Sequence, residues 1–323
     1  MSTRSPDLDE VGEAAERLSV GTRRWMGTHA GYLDSPAAHA ELPVTARVKA
    51  LLQLGLLCHY WGRAIPGEAA LGDAVAVVDR AWRRPDFPLP SGFDQRKARH
   101  FQLLYAALAP AGTATDEHRE LLARLAADGY LAPGRKSPYL HLGVRFFADL
   151  AGVGHRLASY QELYESSLLA RAATMPVAEL DVCEVTDTVF YLSDFGFRDP
   201  GLTEESREQA LRVVDRLMDR CARDGAWEYA GKLVLAQACL GMDPLRTPSG
   251  AAGIRMLAHA QAQDGAIPGK TSAGRAPETA TPEEYFRKAY QATLVTALVM
   301  TIITAGRADG LATAGPSAAR RAL

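Results

Sequence analysis

The sequence predicts an all-α protein, and three observations carry that expectation. Convincing runs of alternating β-branched residues are absent, so strands are not expected. Apolar residues recur at the three- and four-residue spacing of a helix face along nearly the whole chain. Short Gly/Pro connections such as LAPGRKSP and FRDPG separate the periodic segments. With 323 residues and 47% hydrophobic composition, the chain has the apolar material for a sizeable core.

In chain order, helices are expected over 8–19, 43–62, 67–83, 96–109, 115–128, 138–151, 156–173, 182–195, 203–222, 226–240, 247–263 and 282–306. The first is announced by the acidic DLDE at 7–10, a helix-start signal. The fourth opens on RKARH at 96–100, which reads as a solvated helix face. The last contains ATLVTALVMTIITAG at 292–306, too short to span a bilayer comfortably and therefore a buried core segment. Asp-Gly recurs in DGYLAPG (128–134), RDGAWEYAG (223–231), QDGAIPG (263–269) and ADGLATAG (308–315). Glycines 225, 265 and 310 stand 40 and 45 residues apart, a period that fits one helical hairpin per unit. Glycine suits the left-handed cap at which each unit would turn. About six hairpins would close into a single α/α-toroid domain over 1–323 with a central cavity, loose at about 1–7 and 312–323.

Charge and cysteine usage narrow the function classes. A formal charge of −2 argues against an electrostatic nucleic-acid footprint. The polar, acidic start MSTRSPDLDEVGEAAERL has no signal-peptide core, so a cytoplasmic protein without a membrane association is expected. The cysteines at 58, 183, 221 and 239 form no C-x-x-C pair and read as reduced core thiols. No metal site and no cofactor are expected: the Walker loop, His-Glu-x-x-His and G-x-S-x-G patterns are missing. GVGHRLA at 152–158 follows no strand and reads as a helix–helix turn rather than a dinucleotide fingerprint.

WEYAGKLVLAQACLG followed by AHAQAQDGAIPG resembles the helix pairs of terpenoid-cyclase-like α/α toroids, in which Q-x-x-D-G ends a helix. The likeness covers mainly residues 224–270 and implies a fold rather than a chemistry. The D-x-D-D and D-D-x-x-D signatures of terpenoid cyclization do not occur, so isoprenoid cyclization is disfavoured.

What remains is DVCEVTDTVFYLSDFG at 181–196, an amphipathic segment with four carboxylates and no Lys, Arg or His. Glu184, Asp187, Tyr191 and Asp194 fall within about one helix face, while Val185, Val189 and Leu192 cover another, and Gly196 is expected to end the helix. Exposed helices usually mix signs to gain i,i+4 pairs, so this ladder is read as the wall of a catalytic cavity, with a solvated face as its alternative. Convergent carboxylates raise one another's pKa and serve acid–base chemistry. His141 with Arg145, and His155 with Arg156, are the cationic counterparts expected to bind substrate. Trp227 and Glu228, at the head of the next helix, are expected at the rim.

TDTVFYLSDFG also resembles a family of actinobacterial helical toroid proteins tied to specialised metabolism, in which the comparable position often reads Thr-His before fYLtDfG. Here Asp187 follows Thr186, so no role of that histidine carries over. Among such activities the resemblance points to ring closure, with the aziridine-forming synthases of azinomycin-type pathways as the comparison. It implies a sulfonated amino-alcohol substrate, free or carrier-tethered, a carboxylate such as Asp187 or Asp194 as base, and a separate sulfotransferase partner. A non-catalytic scaffold for a partner enzyme and a cofactor-independent hydrolase or lyase are the alternatives.

Overall fold

The computed structural model describes residues 6–68, 72–110, 116–134, 137–269 and 281–313, and among them there is no strand. The α-helices are α1 (Pro6–His29), α2 (Pro36–Glu41), α3 (Val44–Ala64), α4 (Gly72–Trp82), α5 (Ala98–Ala107), α6 (Asp116–Ala127) and α7 (Pro138–Leu150). They continue with α8 (Tyr160–Glu165), α9 (Leu168–Arg171), α10 (Val182–Ser193), α11 (Glu204–Asp224), α12 (Trp227–Cys239), α13 (Pro248–Ala260) and α14 (Pro282–Thr313). The all-α expectation holds.

Local chemistry sets most boundaries. Ser137 caps α7, Thr203 caps α11 and Thr247 caps α13, each side chain accepting from a backbone N–H in the first turn. The single helix expected over 156–173 is instead two short ones. Ser159 forms a capping box with Glu162, and Ser167 caps again eight residues later, so the chain restarts. The helix expected over 8–19 runs ten residues further, to His29. Its buried stripe continues through Thr22, Trp25 and Met26, and Thr22 satisfies its hydroxyl on the Leu18 carbonyl at 2.7 Å, so a polar residue that interrupts the apolar pattern costs little.

The Asp-Gly turns divide. Gly225 takes φ 62 as the left-handed cap of α11. Gly265 takes φ 99 and touches α1 so closely that a Cβ there would stand 2.1 Å from the Gly21 carbonyl oxygen; only glycine permits that approach. Gly310, expected to cap a helix in the same way, lies inside α14. A glycine inside a helix costs only about 1 kcal/mol against alanine, too little by itself to end one. Of the loose ends expected, 6–7 begin α1 and 312–313 finish α14, while the remainder lies outside the described residues.

Six helices pack in a circuit: α3 on α5, α5 on α7, α7 on α10, α10 on α12, α12 on α14, and α14 on α3. The others lie against members of this circuit, α4 on α3, α6 on α5, α11 and α13 on α12, and α1 on α14. The helices α7, α10 and α12 run in one direction: Tyr139 and Lys232 meet Asp187, while Phe146 and Cys239, seven residues further along each, lie beside Phe195 and Gly196. The core forms between the layers, where Trp25 stacks on Phe286 at 5.9 Å and Leu18, Leu54, Leu217 and Ile254 are fully buried. Each such side chain contributes about 1.5–3 kcal/mol of burial. Among the described helices α14 alone is long and apolar enough to cross a membrane, and 61% of that window is buried inside the protein, as the core-helix reading of 292–306 requires. All four cysteines are free thiols.

Candidate functional site

The acidic segment forms α10, but its carboxylates do not make one ladder. Asp181 is the N-cap, accepting from the Glu184 N–H at 2.8 Å. Val182, Val185, Val189 and Leu192 are buried on the packed side. The helix stops at Ser193, not at Gly196. Ser193 Oγ accepts from the Gly196 N–H at 3.2 Å, and the chain turns through two consecutive left-handed residues, Asp194 (φ 50) and Phe195 (φ 54). Such conformations cost non-glycine residues on the order of 1 kcal/mol or more each. Asp194 therefore leaves the helical face that sequence spacing assigned to it.

Asp187 sits in regular helix between two neighbours. Lys232 Nζ of α12 donates to Asp187 Oδ1 at 2.7 Å, and the Tyr139 hydroxyl of α7 donates to Asp187 Oδ2 at 3.2 Å. The two charged side chains remain 17% and 19% exposed, so solvent-sized space borders them. Burial alone would push Lys232 towards neutrality, but Asp187 and Cys183 outweigh it and hold the ammonium above its ordinary pKa. Burial, reinforced by Asp187, pushes the Tyr139 and Tyr191 phenols up, so both stay protonated donors at neutral pH. Burial likewise raises the Cys183 thiol, with Lys232 opposing. Tyr191 packs on Phe146 at 5.2 Å and Phe147 at 6.0 Å. The result is an anion, a cation and two phenols against an aromatic wall, a set that can exchange protons and hold opposite charges.

Asp194 belongs to a different cluster. Tyr60, from α3, donates to Asp194 Oδ1 at 2.6 Å, and Arg63 meets Oδ2 at 2.9 Å. Tyr60 also packs on Phe195 at 4.5 Å, and the Arg63 guanidinium lies 4.2 Å from the Phe197 ring centroid. Because α3 and α10 are separated by two circuit helices on either side, this cluster bridges the circuit at the C-terminal ends of both helices. Glu184 joins neither group. Burial, then Asp181, raises its pKa, and Arg171 opposes.

The expected cationic counterparts lie elsewhere. Arg145 donates to the carbonyl oxygens of Ala158 at 2.6 Å and Leu157 at 3.3 Å and stacks on Tyr160. His155 pairs with Asp149 at 2.8 Å, and Arg156 is exposed. These residues brace the α7–α8 connection and are not brought to Asp187. His141 is half-buried on α7. Trp227 donates to the Pro268 carbonyl at 2.7 Å, fixing the segment that follows α13. Glu228 stands one turn before Lys232 on the same α12 face.

Sequence reasoning missed Lys232, Tyr139, Tyr60 and Arg63. A signal existed for Lys232: it is the lone cation in the otherwise apolar run AGKLVLAQACLG, and a lone cation on an apolar helix needs a buried anion. No comparable signal marks Tyr60 or Arg63, whose partner lies more than a hundred residues away.

The sequence profile described as Domain of unknown function (DUF6895) matches residues 19–301. The chain belongs to that family. No curated protein and no solved structure matches it.

Proposed function

We propose that this member of the DUF6895 family is a cofactor-independent acid–base enzyme of specialised metabolism that closes a ring on a small molecule. The observation that carries the reading is Asp187 held between the ammonium of Lys232 and the phenol of Tyr139, with solvent-sized space beside the pair. The circuit of six helices with return helices packed against them supports an α/α toroid around that space. Ring closure by amine attack on a carbon bearing a sulfate needs a proton acceptor for the nitrogen and a cation for the leaving anion. Asp187 takes the N–H proton, the C–N bond forms as the C–O bond breaks, and Lys232 receives the sulfate. This replaces Arg145 and His155, which are committed to the α7–α8 connection. Holding nitrogen and carbon at attack distance supplies several kcal/mol of the barrier reduction. A cytoplasmic sulfotransferase is the partner this scheme calls for, acting on a free or carrier-tethered amino alcohol.

The test is incubation of the purified protein with a sulfonated 2-amino alcohol, following sulfate release and the cyclic product by mass spectrometry. Wild-type protein accelerates both, and Asp187→Asn, checked for folding by circular dichroism, loses at least about a hundredfold, the range general-base removal commands. Product formation unchanged in that variant would replace the enzyme by a scaffold. Incorporation of water, or an alkene product, would replace the cyclase by a hydrolase or lyase using the same carboxylate.

A further inference from the structure

Two side-chain oxygens in the described residues are buried without any hydrogen-bond donor: Glu228 Oε2 and Gln53 Oε1. The orientation of each follows from its helix. On α12, Lys232 meets α10 through Asp187 and Gly231 abuts Val295 and Val299 of α14. Gln237, nine residues after Glu228 and so on the opposite side, donates to Ser249 of α13 and Asp215 of α11. At 100° per residue, Glu228 lies between the directions of Gly231 and Lys232, and so points away from α13 into the circuit. On α3, Gly55 packs against Trp82 of α4, while Tyr60 reaches across to Asp194. Gln53 shares the face of Tyr60. It stands seven residues before Tyr60, as Asp187 stands seven before Asp194. Two turns of helix, about 10 Å, therefore bring Gln53 back to the height of Asp187. Glu228 lies one turn further from the Tyr60–Asp194 bridge than Lys232.

A buried carboxylate oxygen without a donor is costly, and native proteins rarely leave one unless a ligand or water completes it. Both orphaned atoms accept and neither donates. We infer that Glu228, with Gln53, is the anchoring site for an alkylammonium group of the substrate, distinct from the nitrogen that gives its proton to Asp187. This deepens the amine-substrate reading and rests on it: the substrate class becomes a diamine or an amino alcohol with a second amino group, its chain lying along the Tyr139, Tyr191 and Phe146 wall.

Titration calorimetry on the full chain with 1,4-diaminobutane tests this, with butylamine and butyrate as single-charge and opposite-charge controls. The diamine binds saturably and more tightly than butylamine, and butyrate does not compete. Glu228→Gln weakens the diamine by about tenfold or more, the loss expected for a hydrogen bond to a charged group, and Gln53→Leu weakens it several-fold. Without ligand, Glu228→Gln leaves Tm unchanged or raised, because Oε2 makes no hydrogen bond that the substitution would break. Absence of saturable diamine binding, butyrate binding as tightly, or equal diamine affinity in Glu228→Gln each overturns the inference. If Glu228→Gln fails to fold, Glu228→Asp supplies the same reading through a shortened reach. Diamine binding that depends on Glu228, without turnover of any sulfonated amine, leaves this site standing while the ring-closure reading falls. Turnover insensitive to Glu228→Gln removes this site alone.

Discussion

Asp187 and Asp194 lie seven residues apart on one segment, and each accepts from one tyrosine and one cation. They differ in where those partners come from. Asp187 binds the helices directly flanking α10, in regular backbone, beside accessible space. Asp194 binds α3 across the circuit, from a backbone that is left-handed at two successive non-glycine residues. Strain at Asp194 is sustained by the Tyr60 and Arg63 bonds and by Phe195 packed on Phe190 and Tyr60. Similar polar partners thus sit in two settings: a clamp across the helix circuit, and a part-exposed charge pair to which we assign the proposed chemistry.

The largest effect on stability is expected at the clamp. Asp194→Ala removes two charge-assisted bonds and leaves the Tyr60 hydroxyl buried without its acceptor, a loss of roughly 2–4 kcal/mol. Thermal and urea unfolding would show it, and ring-closure activity would fall only in proportion to folded protein. An Asp194→Ala protein as stable as wild type, but inactive, would move the catalytic assignment from Asp187 to Asp194. Asp194→Gly should lose less, since glycine relieves the φ 50 backbone by about 1 kcal/mol.

A smaller stability effect belongs to the charge pair. Asp187→Asn leaves Lys232 half-paired and should cost on the order of 1–2 kcal/mol, opposite in sign to the stabilisation expected from an unrelieved acidic ladder. Lys232→Met should cost a similar amount, and the double variant less than the sum, a coupling that a double-mutant cycle reads directly. The pH dependence has a definite sign. Lys232 has a folded pKa raised above its unfolded value. Its stabilisation is therefore complete below the unfolded lysine pKa of about 10.4 and is lost as pH rises through the folded value. Unfolding from pH 8 to 11 should show an alkaline decline that Lys232→Met diminishes. Equal slopes in the two proteins would deny the pair any linkage to stability.

How much of this was legible follows from the distance of each partner. The helices, Gly225 as a cap and the buried Val185–Val189–Leu192 stripe are local consequences of spacing and turn chemistry, and the sequence carries them openly. Serines 159 and 167 were equally local; their capping chemistry explains why 156–173 is two helices. Asp187 was legible as an unusual carboxylate because α10 lacks basic residues. Its partners were not, because Lys232 and Tyr139 are 45 and 48 residues away and no periodicity links helices in space. Arg145 and His155 misled for the same reason: beside His141 and Arg156 respectively they suggested free cations, whereas folding gave Arg145 backbone carbonyls and His155 Asp149 as partners. Asp194 failed because a helix wheel assumes the helix continues, and the αL turn at Asp194–Phe195 ends it at Ser193, two residues before the expected 195.

Glu184 gives the smallest predicted effect and isolates what α10's first turn contributes. It shares the segment with both aspartates but gains no cation close enough to offset burial, and Asp181 adds repulsion, so its folded pKa is raised. For a carboxyl the consequence is a penalty at neutral pH: the folded state must bury a charge that the unfolded chain exposes freely. Below the unfolded glutamate pKa of about 4.3 both states are protonated and the penalty vanishes. Glu184→Gln should therefore raise Tm slightly at pH 7 and leave it unchanged near pH 4. The gain is on the order of 0.5 kcal/mol at most, because water screens a half-exposed group. The same substitution should leave ring closure intact, since Glu184 contacts neither Asp187 nor Lys232. A stabilised but inactive Glu184→Gln would instead place this carboxylate in the reaction and restore the ladder as a functional unit. A destabilised one at pH 7 would mean that Arg171, not burial, governs its charge.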